Sequence, residues 1–235
     1  MSAVANPPAR ETVGAGIYQR LRQDIIMGRL MPGHRLRLEQ LRADYPASPG
    51  TLREALSRLA ADGFVLAEGQ RGFQVAPVSA EGLREIAGLR LLLEEEALRR
   101  SFAAGTLEWE VAVIAAHHRL DAHEERLEAG DTSRIEEWRL SDWRFHQALI
   151  SACGSRLMIR THAEVFDKYL RYQMIALAFR PSASRPEHGA LKDAALARDA
   201  EAAVALLRHH LNAGVEQALS LAPGWDSGHG TEMSR

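Results

Sequence analysis

The chain has 235 residues and a formal net charge of −2, a length that suits one large domain or two modest ones. About 46% of the residues are hydrophobic, and leucine, alanine, arginine and glutamate are abundant, which favours a mainly helical protein. The single cysteine, Cys153, excludes an internal disulfide. The N-terminus lacks an apolar signal segment, and no run of about eighteen apolar residues occurs. We therefore expect a cytoplasmic protein with no membrane partner.

The N-terminal part of the chain has the helix and strand order of a DNA-binding module. Residues 1–12 are small and polar and predict a disordered tail. Apolar residues at helical spacing predict a helix over 16–27, and shorter helical segments follow at 39–44 and 48–63. The runs FVLA and FQVA, separated by EGQRG, then predict a β-hairpin. Three helices and a hairpin wing over 13–78 indicate a winged helix-turn-helix.

Beyond the linker APVS the sequence predicts helices alone. Glycines and the segment RPSASRP, taken as a loop, separate the helices, and their short connections predict an antiparallel all-α bundle of about six helices. This domain is expected to occupy 79–222, followed by a flexible tail at 223–235. The predicted helices are 80–104, 107–129, 133–152, 155–179, 186–197 and 199–221.

Charge is distributed unevenly between these two parts. Residues 13–78 contain nine arginines, no lysine and six acidic residues, a balance of +3 that leaves −5 for the remainder. Such asymmetry is typical of a nucleic-acid-binding module beside an acidic one. In a helix-turn-helix, the start of the second helix contacts base edges and neighbouring arginines contact phosphates. The candidate DNA contacts are Arg35, Arg37, Ser48, Gly50, Thr51, Arg53, and Arg71 with Gly72 at the wing tip; the alternative is an ordinary solvated surface.

The N-terminal domain resembles the GntR family of bacterial regulators. The resemblance rests on the turn GRLMPGHRL, the recognition-helix segment LREAL and the wing segment RGF, and it covers nearly the whole domain. It implies binding to double-stranded operator DNA. One position departs from the family pattern, because Pro49 follows the serine of the turn where an arginine that contacts DNA is usual. The departure implies a different operator.

Two residues of the predicted bundle have the spacing of a metal site. Asp142 and His146 are four residues apart, so they project from one helix face. The neighbouring Trp143 and Phe145 indicate that this face is packed, where a charged aspartate requires a partner. Further histidines for such a site occur at His188 and at His210 or its neighbour His209, of which one alone can face inward. The alternative is that these are core or surface histidines without a metal.

The second domain resembles the all-helical FCD effector domain of the FadR subfamily. The resemblance rests on Arg90 to Glu94, Asp142 to His146, Glu187 with His188, and the ending LLRHH at His210. It implies a divalent metal ion held by Asp142, His146, His188 and His210. Neutral imidazoles with one carboxylate suit zinc, nickel, iron or manganese.

Positions left open on such a metal could bind a carboxylate effector. Arg90 is the first candidate to hold its second charge and Arg171 the second, although Arg90 could instead pair with Glu94 one turn along. The segments ISACGS and RYQ resemble a branch with regulators of dicarboxylate catabolism, which implies a small carboxylate or dicarboxylate effector.

These observations predict a homodimeric transcriptional repressor that a small molecule controls. Three alternatives remain open. A metal with three histidines and an aspartate could activate water in an enzyme, although no general base, phosphate-binding loop or dinucleotide motif accompanies it. The metal could itself be the signal. The domain could also bind a fatty-acyl effector without metal, against which the complete set of ligands argues.

Overall fold

The computed structural model describes residues 13–69 and 72–225, and the tail expected at 1–12 lies outside these ranges. The chain divides after Pro77 into two units. The first unit contains α1 (Val13–Ile26), β1 (Arg35–Leu36), α2 (Leu38–Asp44), α3 (Pro49–Ala61), β2 (Val65–Ala67) and β3 (Phe73–Val75). Within the described ranges, no helix combines the length and apolar character needed to cross a membrane.

The first unit is a winged helix, as predicted. The apolar face of α1 packs on α3, and Leu21 and Leu56 are fully buried between them. Helix α3 begins where the sequence indicates, because the Ser48 hydroxyl accepts a hydrogen bond from the Thr51 amide at 3.1 Å and Pro49 occupies the first helical position. The sheet has one strand more than the expected hairpin: β1 pairs antiparallel with β3, giving the order β1-β3-β2.

The second unit is a bundle of six helices. These are α4 (Ala80–Ala104), α5 (Leu107–Glu128), α6 (Ile135–Ile150), α7 (Arg156–Ala176), α8 (Pro181–Leu196) and α9 (Ala200–Leu221). Helix α4 packs against α6, α7 and α9, while α5 packs against α6 and α8. Polar side chains also enter this interior, and they form the candidate site.

The connection between α7 and α8 differs from the prediction. Helix α7 ends at Ala176 and not at 179, because Leu177 adopts a left-handed conformation with φ of 51°. The segment RPSASRP is not a loop: Pro181 starts α8, with Arg180 as the N-cap residue. Proline suits the first position of a helix since its missing N–H has no partner there in any case. Arg180 and Ala178 thereby reach the candidate site.

Regular structure continues beyond the last predicted helix. Pro223–Trp225 forms a 3-10 turn where a flexible tail was expected, and 226–235 lie outside the described ranges. The Trp225 ring stands edge-on to Tyr172 of α7, with ring centres 5.2 Å apart. The Tyr172 hydroxyl in turn lies against Gly82 of α4, where a Cβ atom would come within 2.6 Å of it.

Candidate metal centre and nucleic-acid interface

Four side chains from three helices meet inside the second unit. Asp142 and His146 project from one face of α6, and both are buried. His188 of α8 and His210 of α9 face them, and one ring nitrogen of each histidine lies within 4.8 Å of those of the other two. The Oδ1 atom of Asp142 lies 3.8 Å from His146 Nε2 and 3.5 Å from His188 Nε2. The structure thus brings together the four residues of the predicted metal site, here termed the histidine cluster.

Each histidine of the cluster is held by a glutamate on its outer side. Since an ionised carboxylate accepts hydrogen bonds only, the Nδ1 atom of each histidine carries a proton, and the Nε2 atom offers a lone pair when the ring is neutral. The Nε2 atoms of His146 and His188 are buried, and neither has a hydrogen-bond partner within 13–69 and 72–225. Carboxylates placed in this way orient metal-binding imidazoles and raise their basicity. The pairs are His146 with Glu94 of α4, His188 with Glu124 of α5 at 2.9 Å, and His210 with Glu187 of α8 at 2.7 Å.

Glu94 is the most heavily engaged of these carboxylates. Besides His146, its Oε2 atom accepts hydrogen bonds from Arg90 Nε and His162 Nε2, each at 3.0 Å. Burial alone would raise the pKa of Glu94, but the hydrogen bond from His146 and the positive charge of the Arg90 guanidinium outweigh burial and hold that pKa well below its usual value. Glu94 is therefore ionised. His162 was not among the predicted site residues, and its Nδ1 atom forms a hydrogen bond with Gln147 Nε2 at 2.7 Å.

The protonation preferences of the cluster histidines differ. Burial lowers the pKa of His210 to about 3, and burial also lowers the pKa of His146. Burial acts in the same direction on His188, but the nearby Glu124 carboxylate outweighs it and raises the pKa of His188. Two of the three imidazoles are therefore neutral near pH 7 without a bound ion, the form in which histidine binds a metal.

Carboxylates outnumber guanidinium groups around the cluster. Four ionisable carboxylate side chains, none more than 13% exposed, face two guanidinium groups. With the histidines neutral, as metal ligands must be, the excess of two negative charges is costly in a buried site unless a cation neutralises it. A divalent ion would balance this charge, so the residues present fit a metal. The carboxylates belong to Asp142, Glu94, Glu124 and Glu187, and the guanidinium groups to Arg90 and Arg180.

A cavity of about 40 Å³ adjoins the cluster. Arg90, which was predicted to bind the effector, lines this cavity and also forms the alternative ion pair with Glu94. The Arg90 guanidinium lies over the Phe166 ring, 4.0 Å from its centre. Arg180, which the sequence did not indicate, lines the same cavity and binds both carboxylate oxygens of Glu187.

Arg171 is placed differently from Arg90. It is buried on α7 beside Tyr172, and it is absent from the described residues that line the cavity. Burial lowers the pKa of Arg171 to about 10. The structure therefore does not bring Arg171 together with the cluster.

Four of the predicted DNA contacts line one cavity of the first unit. Arg35, Arg37 and Arg53 are exposed and line, with Gly72, a cavity of about 140 Å³ between the sheet and α3. None of these three arginines forms an ion pair with another described residue. Of the remaining candidates, Ser48 is the N-cap residue of α3, Gly50 and Thr51 lie in its first turn, and Arg71 lies outside the described ranges.

Both units match known protein families. Residues 14–75 match the bacterial regulatory proteins of the gntR family, and residues 85–213 match the FCD domain. The chain is 42% identical over 200 residues to the HTH-type transcriptional regulator BphR of Paraburkholderia xenovorans (strain LB400), spanning 84% of this chain and 82% of BphR. The chain belongs to the GntR family. It is a DNA-binding transcriptional regulator with an FCD domain, and the enzyme alternative is thereby excluded.

Two further similarities agree with this assignment. The regulator is 35% identical over 202 residues to the HTH-type transcriptional repressor GlaR of Escherichia coli (strain K12), spanning 83% of this chain and 90% of GlaR. A solved GntR regulator from Rhodococcus sp. RHA1 is 26% identical, with a TM-score of 0.71 over 88% of this chain and 97% of that one. GntR regulators bind operator DNA and are typically dimers.

Proposed function

We propose that this regulator is a repressor whose affinity for its operator is controlled by a small carboxylate bound at a metal ion in the FCD domain. The histidine cluster carries the proposal. The buried Nε2 atoms of His146 and His188 have no partner among the described residues, the Nδ1 atoms of all three histidines are held by carboxylates, and two more carboxylates than guanidinium groups surround the cluster. Domains of this type often bind a metal, which agrees with the donor set found here.

Asp142, His146, His188 and His210 would hold the ion. Three neutral imidazoles and one carboxylate suit zinc, nickel, iron or manganese, and an ion with coordination positions left open attracts an anionic oxygen of the effector. The chain's own contribution is orientation: Glu94, Glu124 and Glu187 fix the three rings before any ligand arrives.

The effector is a small carboxylate or dicarboxylate that reaches the ion through the 40 Å³ cavity. Arg90 supplies a positive charge at that cavity, and its Nη2 atom has no hydrogen-bond partner among the described residues. Because so small a cavity holds only a few water-sized groups, a larger ligand requires the helices around it to move. That movement is the proposed origin of the signal.

The DNA-binding surface is the arginine-rich face of the first unit. Arg53 and the first turn of α3, with Ser48, Gly50 and Thr51, enter the major groove, whereas Arg35 and Arg37 bind phosphates. The wing tip, with Arg71 and Gly72, approaches the minor groove. Pro49 in place of the usual arginine points to a distinct operator.

The signal passes from the FCD domain to the DNA through a homodimer. Two copies bind the two halves of a two-fold operator, and the effector favours a dimer conformation that fits the operator less well. The likeness to GlaR, which is named a repressor, supports repression over activation.

Operator binding with and without metal tests the proposal. An operator is selected from random duplexes with the zinc-loaded full chain, and its affinity is measured by fluorescence anisotropy against a panel of small carboxylates. We expect at least one carboxylate to weaken binding about tenfold or more in the zinc-loaded protein and none to do so after chelation. A large effect of zinc alone, with none from any carboxylate, would instead establish a pure metal sensor.

A further inference from the structure

A second residue with an unpaired donor, Trp138, lines the cavity beside the histidine cluster. Trp138, near the start of α6, is buried, and its indole Nε1 has no hydrogen-bond partner in the part of the chain that the structure describes. An indole N–H can only donate, and buried donors without an acceptor are rare because their desolvation is costly. Trp138 lines the cavity together with Arg90 and the cluster residues Asp142 and His188.

The indole is held in a fixed orientation. The ring of Phe179 packs edge-on against it, with ring centres 5.5 Å apart and an interplanar angle of 80°. Phe179 belongs to the connection between α7 and α8 that the left-handed Leu177 creates. A donor held in this way loses little entropy when an acceptor binds to it.

We propose that Trp138 is a specificity-determining residue that selects effectors with an acceptor oxygen in addition to the metal-bound carboxylate. This inference rests on the proposed function, since it requires an effector at the histidine cluster. In a cavity of about 40 Å³, a ligand bound to the cluster is also within reach of the cavity walls. A ligand with an apolar group in that place leaves the indole N–H buried and unpaired, and sites built around a hydrogen bond reject such ligands strongly.

Arg90 acts on the same part of the effector. Its Nε atom donates a hydrogen bond to Glu94, and its guanidinium group lies over the rings of Phe166 and Tyr169. Its Nη2 atom has no hydrogen-bond partner among the described residues. Two residues on different helices, α4 and α6, thus line one cavity, and each carries a buried N–H group that has no acceptor among the described residues. Together they favour an anionic oxygen group over a neutral one.

The test compares two ligands of nearly the same shape, malonate and isovalerate, by calorimetry on the zinc-loaded full-length protein. The second carboxylate of malonate is replaced in isovalerate by an isopropyl group. We expect malonate to bind about 10- to 100-fold more tightly, given the usual cost of a lost charge-assisted hydrogen bond. This comparison requires no variant.

The variant Trp138→Phe then assigns the preference to the indole. It keeps a ring against Phe179 and removes the N–H donor together with part of the indole volume, a loss of volume that the control below shares. The ratio of the two affinities should therefore fall about tenfold while zinc content stays unchanged. Trp143→Phe on the same helix is the control and should keep the full ratio.

Two results would overturn the inference in distinguishable ways. If zinc is bound but malonate is not preferred, or if Trp138→Phe keeps the preference, the role proposed for Trp138 is contradicted while the metal site is supported. If no zinc is bound, the proposed function fails and the inference falls with it.

Discussion

The glutamates behind the histidine cluster should tune the affinity for metal, and Glu124 offers the sharpest test. Glu124 is fully buried, and its Oε1 atom accepts hydrogen bonds from His188 Nδ1 at 2.9 Å and from the Ser184 hydroxyl at 3.0 Å. Glu124→Gln keeps the shape and removes the charge. Loss of an outer carboxylate of this kind typically lowers metal affinity about 10- to 100-fold. That loss corresponds to about 1.4–2.7 kcal/mol of binding free energy.

The assay is competition for zinc against a chelator of known affinity, followed by thermal unfolding of the zinc-loaded protein. Glu128→Gln is the matched control, because Glu128 lies one turn further on the same helix, where it binds Arg185 at the surface. We expect the control to bind zinc like the wild type. Unchanged zinc affinity in Glu124→Gln, or an equal loss in Glu128→Gln, would refute the role given to the outer carboxylates.

Three further predictions concern stability, pH and DNA. Gly82→Ala should destabilise the protein by about 1–3 kcal/mol in urea unfolding, because its Cβ would meet the buried tyrosine hydroxyl 2.6 Å away. Gly88→Ala, on the same helix and with open space around it, should stabilise by about 0.5–1 kcal/mol, and equal effects would contradict the packing described. In metal-free protein, burial lowers the pKa of His210 to about 3, so between pH 6.5 and 5 the unfolded chain binds a proton there that the folded chain does not. The free energy of unfolding should therefore decrease as the pH is lowered, by up to about 1.4 kcal/mol per pH unit. An equally steep decrease in His210→Asn would contradict this. Arg53→Ala should weaken operator binding about tenfold and reduce its salt dependence by about one ion, whereas Arg100→Ala, on the surface of the other unit, should change neither.

Sequence periodicity predicted most of the fold because local interactions specify most of it. The spacing of apolar residues in α1 and α3 predicted which faces are buried. Ser48 and Pro49 predicted where α3, the recognition helix, begins. The strand β1 was missed since it has two residues, Arg35 and Leu36, too few for a pattern. Its partner β3 lies far along the chain, and pairing across that distance leaves no local signal.

The same distinction applies to the histidine cluster. Asp142 and His146 could be placed on one face because their spacing matches a helix turn. His188, and His210 or its neighbour His209, were candidates from the sequence, and the family resemblance then implied His188 and His210. Their outer glutamates could not be found from spacing. Glu94 stands 52 residues from its histidine, Glu124 stands 64 residues away and Glu187 stands 23 residues away, so tertiary packing alone brings them together.

The segment RPSASRP was predicted to be a loop because of its composition, and Arg180 was therefore missed as a residue of the site. RPSASRP has the residues of a loop, yet its first proline starts α8, and the arginine before it binds Glu187 and the His210 backbone carbonyl. A proline is compatible with both readings, since it is common in loops and at the first position of helices. Packing of α8 on α5 and α9 decides between them.

The amount of metal bound per chain tests the central claim most directly. The protein is purified without chelators, reconstituted with zinc, and analysed by elemental mass spectrometry beside His146→Ala and the control His118→Ala, an exposed histidine of α5. The account predicts about one divalent ion per chain in the wild type and in the control, and its loss in His146→Ala. A wild-type protein that binds no metal after reconstitution, or a His146→Ala variant that keeps it, would contradict the account.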